Sequence, residues 1–250
     1  MPHYRTDSVV LRTYKLGESD RIIVLYTRTR GKVRAVAKGI RRTKSKFGAR
    51  LEPGSIVHLQ LYEGRNLDIV TQAETIQQLR EIREDLSRYG RAALMLETID
   101  HLAEDGERNA ALYKLIAGAL VELDRDGNPL VVPAFVAKLL ALEGVQPRLD
   151  ECVICGSSGP LVAIALHEGG IVCADCRQGD PISDDARLAL QQVLDGHVRH
   201  VLATTSDAVA VELEALSSKM LEQHLERRLR SSRVLYQHLE HAPETDASLS

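Results

Sequence analysis

Long apolar stretches are missing from this chain of 250 residues. No run approaches the ~18–20 apolar residues that are needed to cross a bilayer. Residues 1–5 also lack the apolar core of a secretion signal. We therefore expect no membrane contact and a cytoplasmic location.

Known catalytic motifs are missing as well. The sequence contains no glycine-rich phosphate loop that ends in Lys-Ser or Lys-Thr, and no His-Glu-x-x-His zinc motif. Its nine histidines are scattered, and the acidic pair Asp184-Asp185 follows Ser183 as it would at the start of a helix. We find no set of residues suited to catalysis and predict that the protein is not an enzyme.

Acidic residues are absent from residues 21–51, a segment that contains eleven Lys or Arg side chains. Residues 1–80 carry sixteen basic and seven acidic side chains, whereas the other 170 residues carry sixteen basic and twenty-eight acidic ones. The net charge of −3 thus hides a basic part joined to an acidic part. Basic side chains beside phosphates release condensed counterions, so this pattern indicates nucleic-acid binding. The alternative is a solvated charged face without a partner.

The basic part has the pattern of five short strands. Runs rich in β-branched residues, several of them alternating apolar with polar side chains, occupy residues 8–13, 21–26, 32–38, 56–62 and 67–73. Five strands within about eighty residues suit the nucleic-acid-binding OB-fold barrel. We therefore predict an OB-fold over residues 1–79.

A long basic loop, residues 38–50, joins the third and fourth predicted strands. Long loops inside compact domains are uncommon unless they are functional. We expect this loop to be mobile and to close over a single strand of DNA, with Phe47 stacking on a base. Tyrosines within the strands are expected in the barrel core. The predicted phosphate contacts are Lys32, Arg34, Lys38, Arg41, Arg42, Lys44, Lys46 and Arg50.

From about residue 80 the apolar residues recur at helical spacing. The pattern predicts helices over residues 86–102, 112–123, 134–143, 184–194 and 207–239. The fold class is therefore α+β, with a helical domain over residues 80–250 after the barrel. Being acidic, this half is expected to bind proteins.

The four cysteines form one constellation: Cys152-x-x-Cys155, seventeen residues, then Cys173-x-x-Cys176. Two such pairs on tight turns supply four thiolates that surround one zinc ion tetrahedrally. Disulfides and a redox pair are the alternatives, although cytosolic cysteines are kept reduced. Four thiolates leave no position for substrate, so we predict a structural zinc module over residues 150–178.

Several segments resemble the RecO family of bacterial recombination mediators. The similarity follows residues 8–13, 17–21, 31–32, 37–48, 51–53 and 61–65 at the N-terminus. It continues with Gly169-Gly170 between the cysteine pairs, and with residues 224–225 and 229–231 near the end. Residues 80–145 share with the family only their general helical character and no specific motif.

The resemblance implies an OB-fold, a helical domain and a zinc segment without an enzymatic active site. It further implies binding of single- and double-stranded DNA and annealing of complementary strands. With RecR, such proteins help RecA to replace single-strand-binding protein, SSB, during repair in the bacterial nucleoid. The cysteines are not universal in the family, so zinc is predicted from their spacing here.

The end of the last predicted helix is basic, with Arg227, Arg228, Arg230 and Arg233 preceded by Lys219. Cations near a helix C-terminus interact favourably with the helix dipole. The functional alternative is a dock for DNA or for the acidic tail of SSB.

Three other functions are weighed against a recombination mediator. The cysteine pairs could serve a transcription regulator. Their segment, however, lacks the basic and amide side chains that recognise base edges in a DNA groove. The barrel could bind RNA. A zinc-dependent nuclease or deaminase is disfavoured because four thiolates saturate the metal.

Overall fold

Five strands form a closed barrel at the N-terminal end of the protein. The computed structural model describes residues 2–225 and Leu229. The strands are β1 (His3–Leu16), β2 (Asp20–Thr27), β3 (Gly31–Ala37), β4 (Ile56–Tyr62) and β5 (Asp68–Gln77), in the order β1-β2-β3-β5-β4. All neighbouring strands are antiparallel except β3 and β5. The predicted barrel and its five strands are confirmed.

The barrel interior follows the period-two alternation of the sequence. Alternate residues such as Ile23 and Leu25 on β2 and Leu59 and Leu61 on β4 are fully buried inside. Strand β1 is longer than predicted, with 14 residues, and its register shifts between Val10 and Arg12. A bulge of this kind bends a strand, which lets β1 pair with both β2 and β4.

One outer face of the barrel packs on the helices. Val9, Leu11, Val24 and Tyr26 point out of the barrel and belong to the same buried core as the helical residues. At the β2–β3 turn, Gly31 adopts a φ of 63°, and a Cβ there would lie 1.8 Å from the carbonyl oxygen of Glu107. Only glycine permits this close approach.

Seven helices accompany the barrel in the described residues. They are α1 (Glu81–Glu84), α2 (Leu86–Leu102), α3 (Ala110–Asp126), α4 (Val131–Leu142), α5 (Asp184–Leu194), α6 (Val198–Thr204) and α7 (Asp207–His224). The Asn109 side chain accepts hydrogen bonds from the backbone at the start of α3, and Gly127 ends that helix with a φ of 67°. The largely buried α4 contacts α3, α5 and α7.

A buried ion pair joins α2 to α7. Arg91 Nε lies 2.6 Å from Glu214 Oε1, and both side chains are less than a tenth exposed. Removing one partner of such a pair would leave an uncompensated buried charge. The pair therefore fixes how the C-terminal helix sits on the bundle.

A small three-stranded sheet lies between α4 and α5. It comprises β6 (Leu161–Ala165), β7 (Gly170–Cys173) and β8 (Asp180–Pro181), in the order β7-β6-β8. Ile164 and Ile171 extend the helical core into this sheet. The strands were not predicted, because they are too short to show a period.

The helical expectations are largely confirmed. The structure adds the short α1 and α6, and it shows α7 from Asp207 to His224. The rest of the helix predicted to residue 239, including Arg227, Arg228, Arg230 and Arg233, lies outside the described residues. In the described part of the chain, no helix is both long and apolar enough to cross a membrane.

The loop of residues 38–50 is packed against the barrel. Ile40, Phe47 and Leu51 belong to the barrel core, and Phe47 is only 1% exposed. The predicted stacking of Phe47 on a base is therefore wrong, because a ring enclosed by protein offers no free face. These buried side chains anchor the loop on the barrel, and its closure over a strand of DNA stays a prediction.

We predict that Phe47→Ala lowers the free energy of unfolding by about 3–5 kcal/mol, the usual cost of deleting a buried aromatic side chain. Urea denaturation measures this change, and Phe47→Leu serves as the milder control. A Phe47→Ala protein of unchanged stability that bound oligonucleotides less tightly would restore the stacking role.

Candidate nucleic-acid interface and metal centre

Backbone and side-chain hydrogen bonds hold the basic loop on the barrel. The Arg41 amide donates to the carbonyl of Ser19 at 3.0 Å, and the Gly39 amide donates to Asp20 Oδ1 at 2.7 Å. The Gly39 bond, with help from Ser19, lowers the pKa of the Asp20 carboxyl. An ionised Asp20 thus fixes the start of the loop beside the β1–β2 turn.

Three loop cations have no close ion-pair partner. Lys38, Arg42 and Lys44 are exposed, and no carboxylate of the described residues lies within 4.0 Å of them. A nearby acid is Asp20, whose carboxyl pKa is lowered chiefly by the Gly39 hydrogen bond and further by the charges of Arg42 and Lys38. Several other arginines of the barrel behave differently, since Arg21 pairs with Glu52 and Arg30 pairs with Glu63. Unpaired cations are free to meet an external polyanion. The loop therefore presents positive charge without close acidic partners, and its contact with phosphates stays a prediction.

Three further loop cations are fixed by neutral acceptors. The Arg41 guanidinium donates to the carbonyl of Glu18 at 2.9 Å, and the Lys46 ammonium donates to the carbonyl of Thr71 at 2.8 Å. Arg50 donates to the carbonyls of Lys46 and Phe47 at 3.0 and 3.3 Å. Carbonyl oxygens orient these groups without cancelling their charge.

Two predicted phosphate contacts on β3 face the helical domain. The Lys32 side chain is 11% exposed, and its ammonium donates to the carbonyl of Asp100 at 2.9 Å. Arg34 lies 3.5 Å from the carboxylate of Asp105, although half of its side chain is exposed. A phosphate contact does not fit the position of Lys32, whose ammonium is already bound inside the protein.

An outward row of apolar and aromatic side chains crosses the barrel next to the loop. The strand register places Tyr14, Ile22, Val36, Ile69 and Tyr62 side by side. Tyr14 is 41% exposed. The prediction that strand tyrosines lie in the barrel core is wrong for Tyr14, which is exposed, and for Tyr26, which points out of the barrel and is buried against the helices. Successive side chains of a strand alternate between its two faces. Because Leu61 is an inward-facing apolar residue, this alternation could have shown that Tyr62 points outward.

The four cysteine sulfurs converge on one point. Their Sγ atoms all lie within 4.8 Å of one another, and Cys155 Sγ is 3.7 Å from Cys173 Sγ. A Zn–S bond of about 2.3 Å places tetrahedral sulfurs about 3.8 Å apart. The four sulfurs therefore have the spacing needed to hold a metal ion.

Tight turns and the small sheet position the cysteines. The Gly156 amide donates to the carbonyl of Cys152 at 2.8 Å, and Gly156 adopts a φ of 73°. The second pair begins where β7 ends at Cys173. The Val153 amide donates to the carbonyl of Ile171, which brings the first turn beside this strand.

The thiols do not ionise independently of one another. Burial raises the pKa of Cys152, yet hydrogen bonds from the backbone of Cys155, Cys173 and Ile154 bring it down to about 6. The hydrogen bond with Cys155, together with burial, raises the pKa of Cys176 to about 12. Four thiolates crowded together repel one another, so a bound cation is what would stabilise them jointly.

The helical domain carries an apolar pocket with a cationic rim. The pocket encloses about 280 Å³ between α3, α4 and α6, and its wall includes Leu115, Phe135 and Leu202. Lys114, Lys138 and Arg199 stand around it, with Glu122 as the acidic member of the lining. Glu122 is itself paired with Arg125. This positive rim stands out on a domain whose sequence is acidic overall.

Comparisons with known proteins agree over the whole described fold. Residues 1–79 match the family model described as recombination protein O N terminal, and residues 83–233 match recombination protein O C terminal. A DNA repair protein RecO from Frankia casuarinae is 43% identical over 238 residues, which is 92% of this chain and 97% of that protein. A DNA repair protein RecO from Cutibacterium acnes is 41% identical over 241 residues, covering 92% of this chain and 98% of the relative.

The two matching models follow the division of the structure into a barrel and a helical part with four clustered cysteines. The closed five-stranded barrel is the predicted OB-fold, and it coincides with the N-terminal match. We conclude that this chain belongs to the RecO family of DNA repair proteins.

Proposed function

We propose that this protein is a recombination mediator that binds single- and double-stranded DNA and anneals complementary strands. With RecR it would help RecA to replace SSB on DNA in the bacterial cytoplasm, without catalysing a reaction. Residues 1–79 would act as the nucleic-acid module and residues 80–250 as the protein-binding part.

The observation that carries this proposal is the set of unpaired cations on the basic loop. Annealing requires two polyanionic strands to approach each other, and a dense positive surface screens their repulsion. It must also accept any sequence, which phosphate contacts allow and base-edge contacts do not. Lys38, Arg42 and Lys44 have no close acidic partner and can make such contacts, and Arg41 and Lys46 add oriented charge on the same loop, with Arg50 at its far end.

The alternatives fit the molecule less well. A transcription regulator would need a helix or ribbon aimed into a groove, whereas the cysteine turns here are held against a small sheet. Binding of RNA would use the same barrel surface, and a direct competition between DNA and RNA oligonucleotides distinguishes the two ligands.

We also propose that the metal at the four cysteines is one structural zinc ion. Cys152, Cys155, Cys173 and Cys176 would hold it, and when bound it would link the turn after Arg148 to the end of β7. Four sulfur ligands complete the tetrahedron that zinc prefers. The ion would therefore stabilise the module and would leave the basic loop unchanged.

A dock for the acidic tail of SSB is supported by the apolar pocket between α3, α4 and α6. Lys114, Lys138 and Arg199 offer positive charge around apolar walls, which suits a peptide with acidic and apolar residues. The sequence pointed instead to the basic end of the last predicted helix, whose Arg227, Arg228, Arg230 and Arg233 lie outside the described residues, with Lys219 upstream of them. Lys219 already pairs with Asp180.

For the loop, we expect the triple variant Lys38→Ala/Arg42→Ala/Lys44→Ala to bind single-stranded DNA less tightly. Three lost phosphate contacts should flatten the slope of log K against log salt by about two units. Fluorescence anisotropy on a labelled oligonucleotide at several salt concentrations measures this slope. The control Arg65→Ala/Arg108→Ala/Arg177→Ala removes the same charge from exposed positions outside the loop. Equal slopes for both variants would assign the basic loop another role.

For the cysteines, we expect about one zinc ion per chain by elemental analysis. Removing it with a chelator and a thiol reagent should lower the melting temperature while the salt slope of DNA binding stays the same, because the loop lies in the barrel. Cys155→Ser should reproduce the loss of zinc, and Ser158→Ala serves as the neighbouring control. A metal-free protein with two disulfides would contradict the proposal.

For the pocket, we expect Lys114→Glu/Lys138→Glu to lose most of its binding to SSB. The binding of naked oligonucleotides should stay within about twofold, since neither lysine belongs to the loop. A pull-down with intact SSB and with SSB lacking its tail measures the effect, with Arg177→Glu as the control. Equal recovery of both SSB forms by the parent protein would rule out docking of the tail.

A further inference from the structure

A second basic surface lies at the far end of the loop, where the barrel meets α1. The cleft there encloses about 550 Å³ between the loop end at residues 48–50, the end of β5 and α1. Arg50, Arg80 and Arg83 line it. Only Arg50 belongs to the predicted set of phosphate contacts.

Two of the three guanidinium groups in this cleft are held by neutral acceptors. Arg83 Nη2 donates to Ser55 Oγ at 2.9 Å. Arg50 Nη1 donates to the carbonyls of Lys46 and Phe47. These bonds fix two planar donor groups and leave their charges uncancelled.

No carboxylate of the described residues lies within 4.0 Å of the three guanidinium groups, although Glu84 also lines the cleft. This contrasts with Arg12, Arg21 and Arg30 of the barrel, each of which has a carboxylate partner. Oriented guanidinium groups without an internal anion are suited to bind phosphate through paired hydrogen bonds.

The rest of the lining suits a sugar–phosphate chain. Hydroxyl and amide side chains of Ser55, Thr75, Gln77 and Gln78 stand among the arginines. Such groups donate hydrogen bonds to phosphate and sugar oxygens without reading the sequence. Three separate arginines among neutral donors match a ligand with several phosphates along one chain.

The cleft and the free loop cations lie at opposite ends of the same loop. The first residues of the loop are bonded to the β1–β2 turn at Ser19 and Asp20. The last residues, 48–50, border the cleft beside β5 and α1. The loop therefore separates two cationic surfaces.

We propose that the cleft of Arg50, Arg80 and Arg83 holds the backbone of a second single strand while the free loop cations hold the first. The inference rests on the proposed annealing function and adds a site for the incoming strand. Holding the two phosphate chains on either side of one loop brings them together at reduced electrostatic cost.

Arg80→Gln/Arg83→Gln tests this second site. We expect the rate of annealing of complementary oligonucleotides to fall by about tenfold or more, since the loss of a single charge-assisted hydrogen bond already corresponds to about tenfold. Anisotropy should show that affinity for one single strand stays within about twofold of the parent. Arg65→Gln is the control for lost charge. Arg80→Gln alone and the charge-preserving Arg83→Lys keep the test valid if the double variant proves unstable to urea.

Each outcome decides the proposal. Annealing at the parental rate by the double variant, or by Arg80→Gln where the double variant is unstable, would overturn the second site. A parallel loss of single-strand affinity and annealing would place the cleft on the path of the first strand and would overturn it as well. Failure of the proposed function is distinct, because it would appear as a parent protein that neither anneals nor binds single strands.

Discussion

Mutual repulsion among the cations of the basic loop is the constraint on which the rest of the structure depends. Residues 38–50 contain six Lys or Arg side chains and no acid. Charges of one sign held close together destabilise a compact state. The loop is held in spite of this because Ile40, Phe47 and Leu51 enter the barrel core and the ionised Asp20 binds its first turn. Apolar burial therefore offsets the cost of displaying positive charge.

The helical domain decides which of the barrel's cations remain free. Its acids and carbonyls meet one face of the barrel, where Asp100 pairs with Arg12 and Asp105 lies beside Lys32 and Arg34. These contacts bind the two parts together and neutralise that face. The cations of the loop lie away from these contacts, so the charge visible in the sequence is concentrated at one end of the barrel.

The sequence predicted the features that depend on local pattern. Runs of β-forming residues, several of them with period-two alternation, located all five barrel strands, and the cysteine spacing located four sulfurs that the structure brings within 4.8 Å of one another. It misassigned Phe47 and Lys32, because the position of each depends on tertiary contacts. Phe47 lies among charges in sequence yet packs inside the barrel, and Lys32 alternates like a solvent-facing strand residue yet meets α2. The cleft around Arg80 and Arg83 was invisible in sequence because its lining comes from segments far apart in the chain.

Lysine acetylation measured by mass spectrometry, with and without a saturating single-stranded oligonucleotide, tests the central claim most directly. The account predicts that DNA protects Lys38 and Lys44, which are exposed and unpaired. Lys32, which is 11% exposed, should react slowly in both samples. Lys114 on α3 should react equally with and without DNA. Unchanged reactivity of Lys38 and Lys44 in the presence of bound DNA would contradict the account and would move the interface away from the loop.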